Sequence, residues 1–139
     1  MKILVLHLSD IHLQDAENSC VNKLPLIPAA VQNEELELDA AILVTSGDVV
    51  YSGTRSQYKI ATDLLSSLSA MLRDKLRVEG VRFVFVPGNH DCDFSTNQSV
   101  RNIVIDGIRS GKNPDDGMIQ CCCEPQTQFF EFRDSFPQG

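Results

Sequence analysis

Three runs of large apolar residues punctuate the chain: Lys2 to Leu8, interrupted only by His7, then Ala41 to Thr45, then Val81 to Val86. Such continuous runs suit strands covered on both faces, as in a parallel sheet. The third, rich in Val and Phe, adds β-propensity. Between the first two runs, Leu24, Ile27 and Val31 fall at helical spacing. Pro25 fits a first helical turn, and Pro28 blurs where that helix starts. Between the second and third runs the pattern is sharper. Ile60, Leu64, Leu68 and Met71 recur every three or four residues, and Leu65 and Leu72 widen the stripe. Gly53, Thr54 and Ser56 supply loop and capping chemistry ahead of it, and Gly80 follows it. The order strand, helix, strand, helix, strand predicts an α/β fold with parallel strands and right-handed crossovers.

The last third is less regular. Val100, Val104 and Ile108 are spaced for a helix, while their β-branching also suits a strand. Residues 111–117, with two glycines, Asn113, Pro114 and two aspartates, read as a loop. Phe129, Phe132 and Phe136 form one face of a short helix beginning near Pro125.

A polar motif follows each apolar run directly. Ser9-Asp10-Ile11-His12 follows the first, Ser46-Gly47-Asp48 the second, and Pro87-Gly88-Asn89-His90-Asp91 the third. Ligands of open parallel sheets bind at the carboxyl ends of the strands, so the three motifs are expected on one rim. Carboxylate, imidazole and amide donors together suit Mn, Fe or Zn better than a thiolate-loving metal. Asp10 and His12, one residue apart, can face one ion if the chain turns sharply, and Asp48 has two oxygens with which to bridge two. Gly47 and Gly88 allow tight turns in a crowded site. Singly, Asp-x-His and Gly-Asp read as ordinary turn chemistry, and Gly-Asn-His-Asp is more specific, its plainer reading being a loop with capping side chains. Their joint order, each after a strand, is what turns acceptable turns into a candidate metal centre.

Together Asp10-Ile11-His12, Gly47-Asp48 and Gly88-Asn89-His90-Asp91 resemble the first three signature blocks of the calcineurin-like metallophosphoesterase superfamily. The resemblance implies a two-sheet β-sandwich flanked by helices, of which residues 1–139 would be the N-terminal portion of a single domain. It implies two divalent metal ions and a metal-bridging hydroxide that hydrolyses phosphodiesters or phosphomonoesters. Asp10 and His12 would bind the first metal, Asp48 would bridge, and Asn89 would bind the second. His90 would stand over the substrate as a catalytic residue, and Asp91 would orient it. Asp91 and the segment Val49 to Gly53 point away from the protein serine/threonine phosphatases, and Gly47 to Gly53 followed by a helix resembles the cyclic-nucleotide phosphodiesterase-like branch, so the phosphate-ester substrate admits a nucleotide. A non-catalytic interaction module or a regulatory domain of a larger protein is the alternative.

Composition narrows the partners. The formal net charge is -7, which disfavours nucleic acid without opposing an anionic substrate at a cationic metal site. The only early apolar stretch, Ile3 to Leu8, is too short to cross a membrane. Five cysteines, three of them adjacent at Cys121, Cys122 and Cys123, make a poor disulfide framework and fit reduced thiols in the cytoplasm. The superfamily completes its site with histidines from a C-terminal region, including a Gly-His-x-His block. The chain has three histidines, and His7, inside the first strand, reads as a packing group. The missing ligands would therefore come from a C-terminal region of the same protein.

Overall fold

A computed structural model describes residues 1–14, 19–31 and 37–137. Strand β1 (Ile3–Leu8) leads to a broken helical segment: α1 (Ser19–Lys23), a 3-10 turn (Leu24–Leu26) and α2 (Ile27–Val31). The break falls at Pro25, in the first turn of the 3-10 segment, where its missing N–H is tolerated. Then come β2 (Ala40–Ser46), α3 (Arg55–Leu76), β3 (Val81–Val86), α4 (Gln98–Arg109), α5 (Asp116–Cys123), a 3-10 turn (Glu124–Gln126) and α6 (Thr127–Asp134). The ambiguous segment near Val104 is thus helical. The stretch 111–117 is loop only as far as Asp115, whose carboxylate caps α5 by accepting from Met118 N–H.

The three strands form a parallel sheet in the order β1-β2-β3. In register, Leu4 pairs with Ala41 and Ala41 with Val81; Leu6, Leu43 and Phe83 form the next row, and Leu8, Thr45 and Phe85 the last. All of these residues point to one face, which is covered. The expectation of strands covered on both faces is corrected here. Ile3, Val5, Val84 and Val86 lie on the other face and are exposed, so among the described residues the sheet is one-sided. His7 lies on that open face, hydrogen-bonded through Nε2 to Ser46 Oγ at 2.6 Å, and is not a packing group. A strand's side chains alternate whatever their polarity, so an apolar run cannot by itself reveal which face is covered.

Helix α3 covers the sheet with Tyr58, Ala61, Leu65, Leu68 and Leu72. This stripe is rotated from the expected one: Ile60, Leu64 and Met71 sit at its margin, half-buried. The Tyr58 hydroxyl, which donates to the Asp91 carbonyl at 2.8 Å, anchors that rotation. The helix ends on Arg77 in the left-handed conformation, ahead of Gly80. Helix α6 brings Phe129 and Phe132 into the same core, and Phe136 joins them from just beyond the helix end rather than from its face. Phe136 lies 4.5 Å from Phe83 and Phe132 lies 5.0 Å from Phe85, centroid to centroid, so α6 closes the β3 side of the layer.

Candidate metal centre

Because the strands are parallel and in register, their carboxyl ends align, and the three motifs leave the sheet side by side. The loop after β1 then runs along the loop after β2. Asp10 N–H donates to the Gly47 carbonyl (3.2 Å), His12 N–H to that of Asp48 (2.9 Å), and Leu13 N–H to that of Val49 (3.0 Å). Leu13, fully buried, bridges to Val50 in a short parallel extension of the sheet. The chain turns sharply at the candidate ligands. Asp10, His12 and Asp48 have φ of 54°, 50° and 54°, left-handed conformations that non-glycine residues seldom adopt. Such strain persists only where the surroundings fix it, and it concentrates at functional sites.

Side-chain donors of His12, Asp48 and His90 lie within 4.8 Å of one another. The His12 and His90 rings meet edge to face at 4.7 Å. Asp10 joins from the side, its Oδ1 3.8 Å from His12 Nε2. Asp48 Oδ1 accepts from the His90 backbone N–H at 3.0 Å, which ties the second motif to the third. Two imidazoles and one carboxylate, with a second carboxylate adjacent, are a donor set that suits Mn, Fe or Zn. Asn89 stands next to His90 on the wall of a neighbouring cleft, exposed. The compact cluster therefore contains His12 and Asp48 from the expected ligand set together with His90, expected over the substrate; Asp10 and Asn89 flank it.

Asp91 is fully buried. Its carboxylate accepts from Gly88 N–H (2.9 Å) and Val50 N–H (3.1 Å). Burial pushes its carboxyl above the ordinary value and the charge of Asp48 adds to that, while backbone N–H donors from Gly88, Val50 and Asp48 oppose. The group that holds the His90 ring is a different one. The Tyr51 carbonyl lies 2.7 Å from His90 Nδ1; a carbonyl only accepts, so Nδ1 carries a proton and Nε2 is the nitrogen left for chemistry. Asp91 thus braces the second and third loops against each other, and Tyr51 orients the histidine. Sequence reading missed Tyr51 because the contact is made by its backbone oxygen, which leaves no side-chain signature.

Gly88 is required for steric reasons. A Cβ there would stand 2.1 Å from Asp48 Oδ1 and 2.7 Å from the Asp48 nitrogen. The Pro-Gly turn thus lets the third loop lie directly on the central carboxylate.

A family model for calcineurin-like phosphoesterases matches residues 3–124. The match embraces all three strands and all three motifs, and the chain belongs to that family. No curated protein matches the chain significantly. Among the described residues no helix is long and apolar enough to cross a membrane.

Proposed function

We propose that the rim is the catalytic centre of a metal-dependent phosphoesterase of the phosphodiesterase-like kind, acting in the cytoplasm on a phosphodiester or phosphomonoester. The observation that carries this reading is the convergence of His12, Asp48 and His90 donors within 4.8 Å, delivered by three parallel strands. Asp10 and His12 would hold a first Mn, Fe or Zn ion, Asp48 would reach both ions, and Asn89 would hold the second. Such an ion pair supplies Lewis acidity toward phosphoryl oxygens and lowers the pKa of water. The residues of the chain do the rest. Asp48, locked by His90 N–H, keeps one oxygen directed and the other available. His90, with Nδ1–H spent on the Tyr51 carbonyl, presents Nε2 toward the leaving-group oxygen, where it can hold or pass a proton. Asp91 keeps the loops in register, a positioning task in which displacements near 1 Å cost about 100-fold in rate.

This chain's three histidines include His7, whose Nε2 is engaged with Ser46 Oγ on the open sheet face, so we also propose that further imidazole ligands come from outside residues 1–139. The exposed Val5, Val84 and Val86 favour a second reading, an interaction module whose sheet face is a docking surface. The two are separated by assaying the complete protein, loaded with Mn or Zn, on an activated phosphodiester and the matching monoester. Metal-dependent turnover that Asp48→Ala abolishes is expected. Metal uptake without turnover on either ester would refute the enzyme and leave the module.

A further inference from the structure

Beside the candidate metal centre lies a cleft of about 380 Å³ that the metal ligands do not fill. Asn89, His90, Tyr51 and Phe94 are among the residues that line it. Both aromatic residues are conspicuously open, 46% and 53% exposed, although apolar rings are the groups burial favours most. The Tyr51 ring lies against the His90 ring at 5.1 Å and 32°, so the aromatic wall adjoins the histidine. Phe94 has the Arg101 guanidinium over its ring, 5.4 Å from the centroid.

The cleft is built and held. Arg101, buried, donates from Nη1 to the Thr96 carbonyl and from Nη2 to that of Phe94, each at 2.7 Å, which fixes the loop that displays Phe94. Asp93 N–H donates to the Pro125 carbonyl at 2.8 Å and anchors the same loop to the segment between α5 and α6. The opposite wall is pressed onto it at Gly53, where φ is +64° and a Cβ would lie 2.4 Å from both Asp93 N and Cys92 C. The two walls therefore come as one rigid unit. An open cleft with aromatic side chains, a few polar groups and a histidine in its lining offers the features a small-ligand pocket uses.

We propose that this cleft is the leaving-group pocket, and that it selects phosphate esters whose leaving group carries a planar aromatic ring, with Tyr51 and Phe94 as the stacking residues. The inference rests on the phosphoesterase reading and names the substrate class of that site. An aryl ester and a nucleotide present the same ring chemistry, so both belong to the test. Aromatic contacts of this kind correspond to roughly threefold to tenfold in affinity.

The test measures binding to the complete protein by NMR titration in Mn-free buffer with Zn, which is diamagnetic. Inorganic phosphate is the reference. Phenyl phosphate is compared with cyclohexyl phosphate, and adenosine 5′-monophosphate with ribose 5-phosphate. A ring preference of about threefold to tenfold is expected in one pair or both, with shifts at Tyr51 and Phe94. Preference in the first pair alone assigns an aryl ester, and in the second a nucleotide. The preference should collapse toward parity in Tyr51→Leu and Phe94→Leu; the first keeps the backbone carbonyl that holds His90. Zinc-dependent binding of inorganic phosphate with no ring preference in either pair overturns the pocket and leaves the phosphoesterase reading standing. No zinc-dependent phosphate binding at all overturns both.

Discussion

Replacing Gly88 by alanine adds a single methyl group at the centre of the site. The structure places that Cβ 2.1 Å from Asp48 Oδ1 and 2.8 Å from its Cγ, against the 3.4 Å at which ordinary contact begins. The Asp48 nitrogen, 2.7 Å away, blocks the escape that a side-chain rotation alone would give. Roughly 1 Å of movement must be shared between the two loops, and overpacking of this kind costs about 1–3 kcal/mol. The movement separates Asp48 from His12 and His90, whose donors now lie within 4.8 Å of its own. Gly88→Ala is therefore expected to fold, with a lowered Tm, and to lose at least tenfold in affinity for zinc, about 1.4 kcal/mol. Gly80→Ala is the control, because nothing lies within 4 Å of its added Cβ. Thermal melts and calorimetric zinc titrations of the three proteins decide the matter. A Gly88→Ala protein that is folded and binds zinc as tightly as the parent would refute the steric account of the motif.

Asp48→Ala should lower bound metal per chain more than Asp10→Ala, since Asp48 lies in the central cluster and Asp10 at its edge; the reverse order, read by elemental analysis, would reassign the centre. Calorimetry with Mn or Zn on the 139-residue chain should show at most one ion held, and two tight ions would mean that residues of this chain complete the site. Leu65→Ala should cost about 2–5 kcal/mol in chemical denaturation, because Leu65 is fully buried between α3 and the sheet. Tyr58 is held well above a tyrosine's ordinary value of 10.0, first by burial and then by the Asp91 charge. Folded chains keep that proton where unfolded chains lose it, so stability is fully present below about pH 10 and falls as pH rises beyond it. In Tyr51→Phe, where Tyr58 is the sole tyrosine, tyrosinate absorbance should therefore rise only together with unfolding.

How much of this was legible beforehand depends on what each feature is made of. The strands, α3 and the aromatic face of α6 rest on local periodicity, and local periodicity is written in the order of residues. The three motifs were readable for the same reason: short apolar runs ending in Asp, His, Asn and Gly announce strand ends and metal donors together. The sequence also puts a glycine at position 88, but that a side chain there would meet Asp48 is a contact of the fold.

Tertiary structure decided the rest, through contacts between residues far apart in the chain. Which sheet face is covered depends on where α3 and α6 pack, so the exposure of His7, Val5 and Val84 has no local signature. The phase of α3 is set by contacts with the core, which include a hydrogen bond from Tyr58 to the Asp91 carbonyl, 33 residues away. His90 is held by a backbone oxygen of Tyr51, and every residue type has that atom. Asp91 binds backbone N–H groups of two loops, a role that its neighbour in sequence, His90, gives no hint of. Side-chain type fixes what chemistry is available; only the packing of loop on loop fixes which atoms face one another.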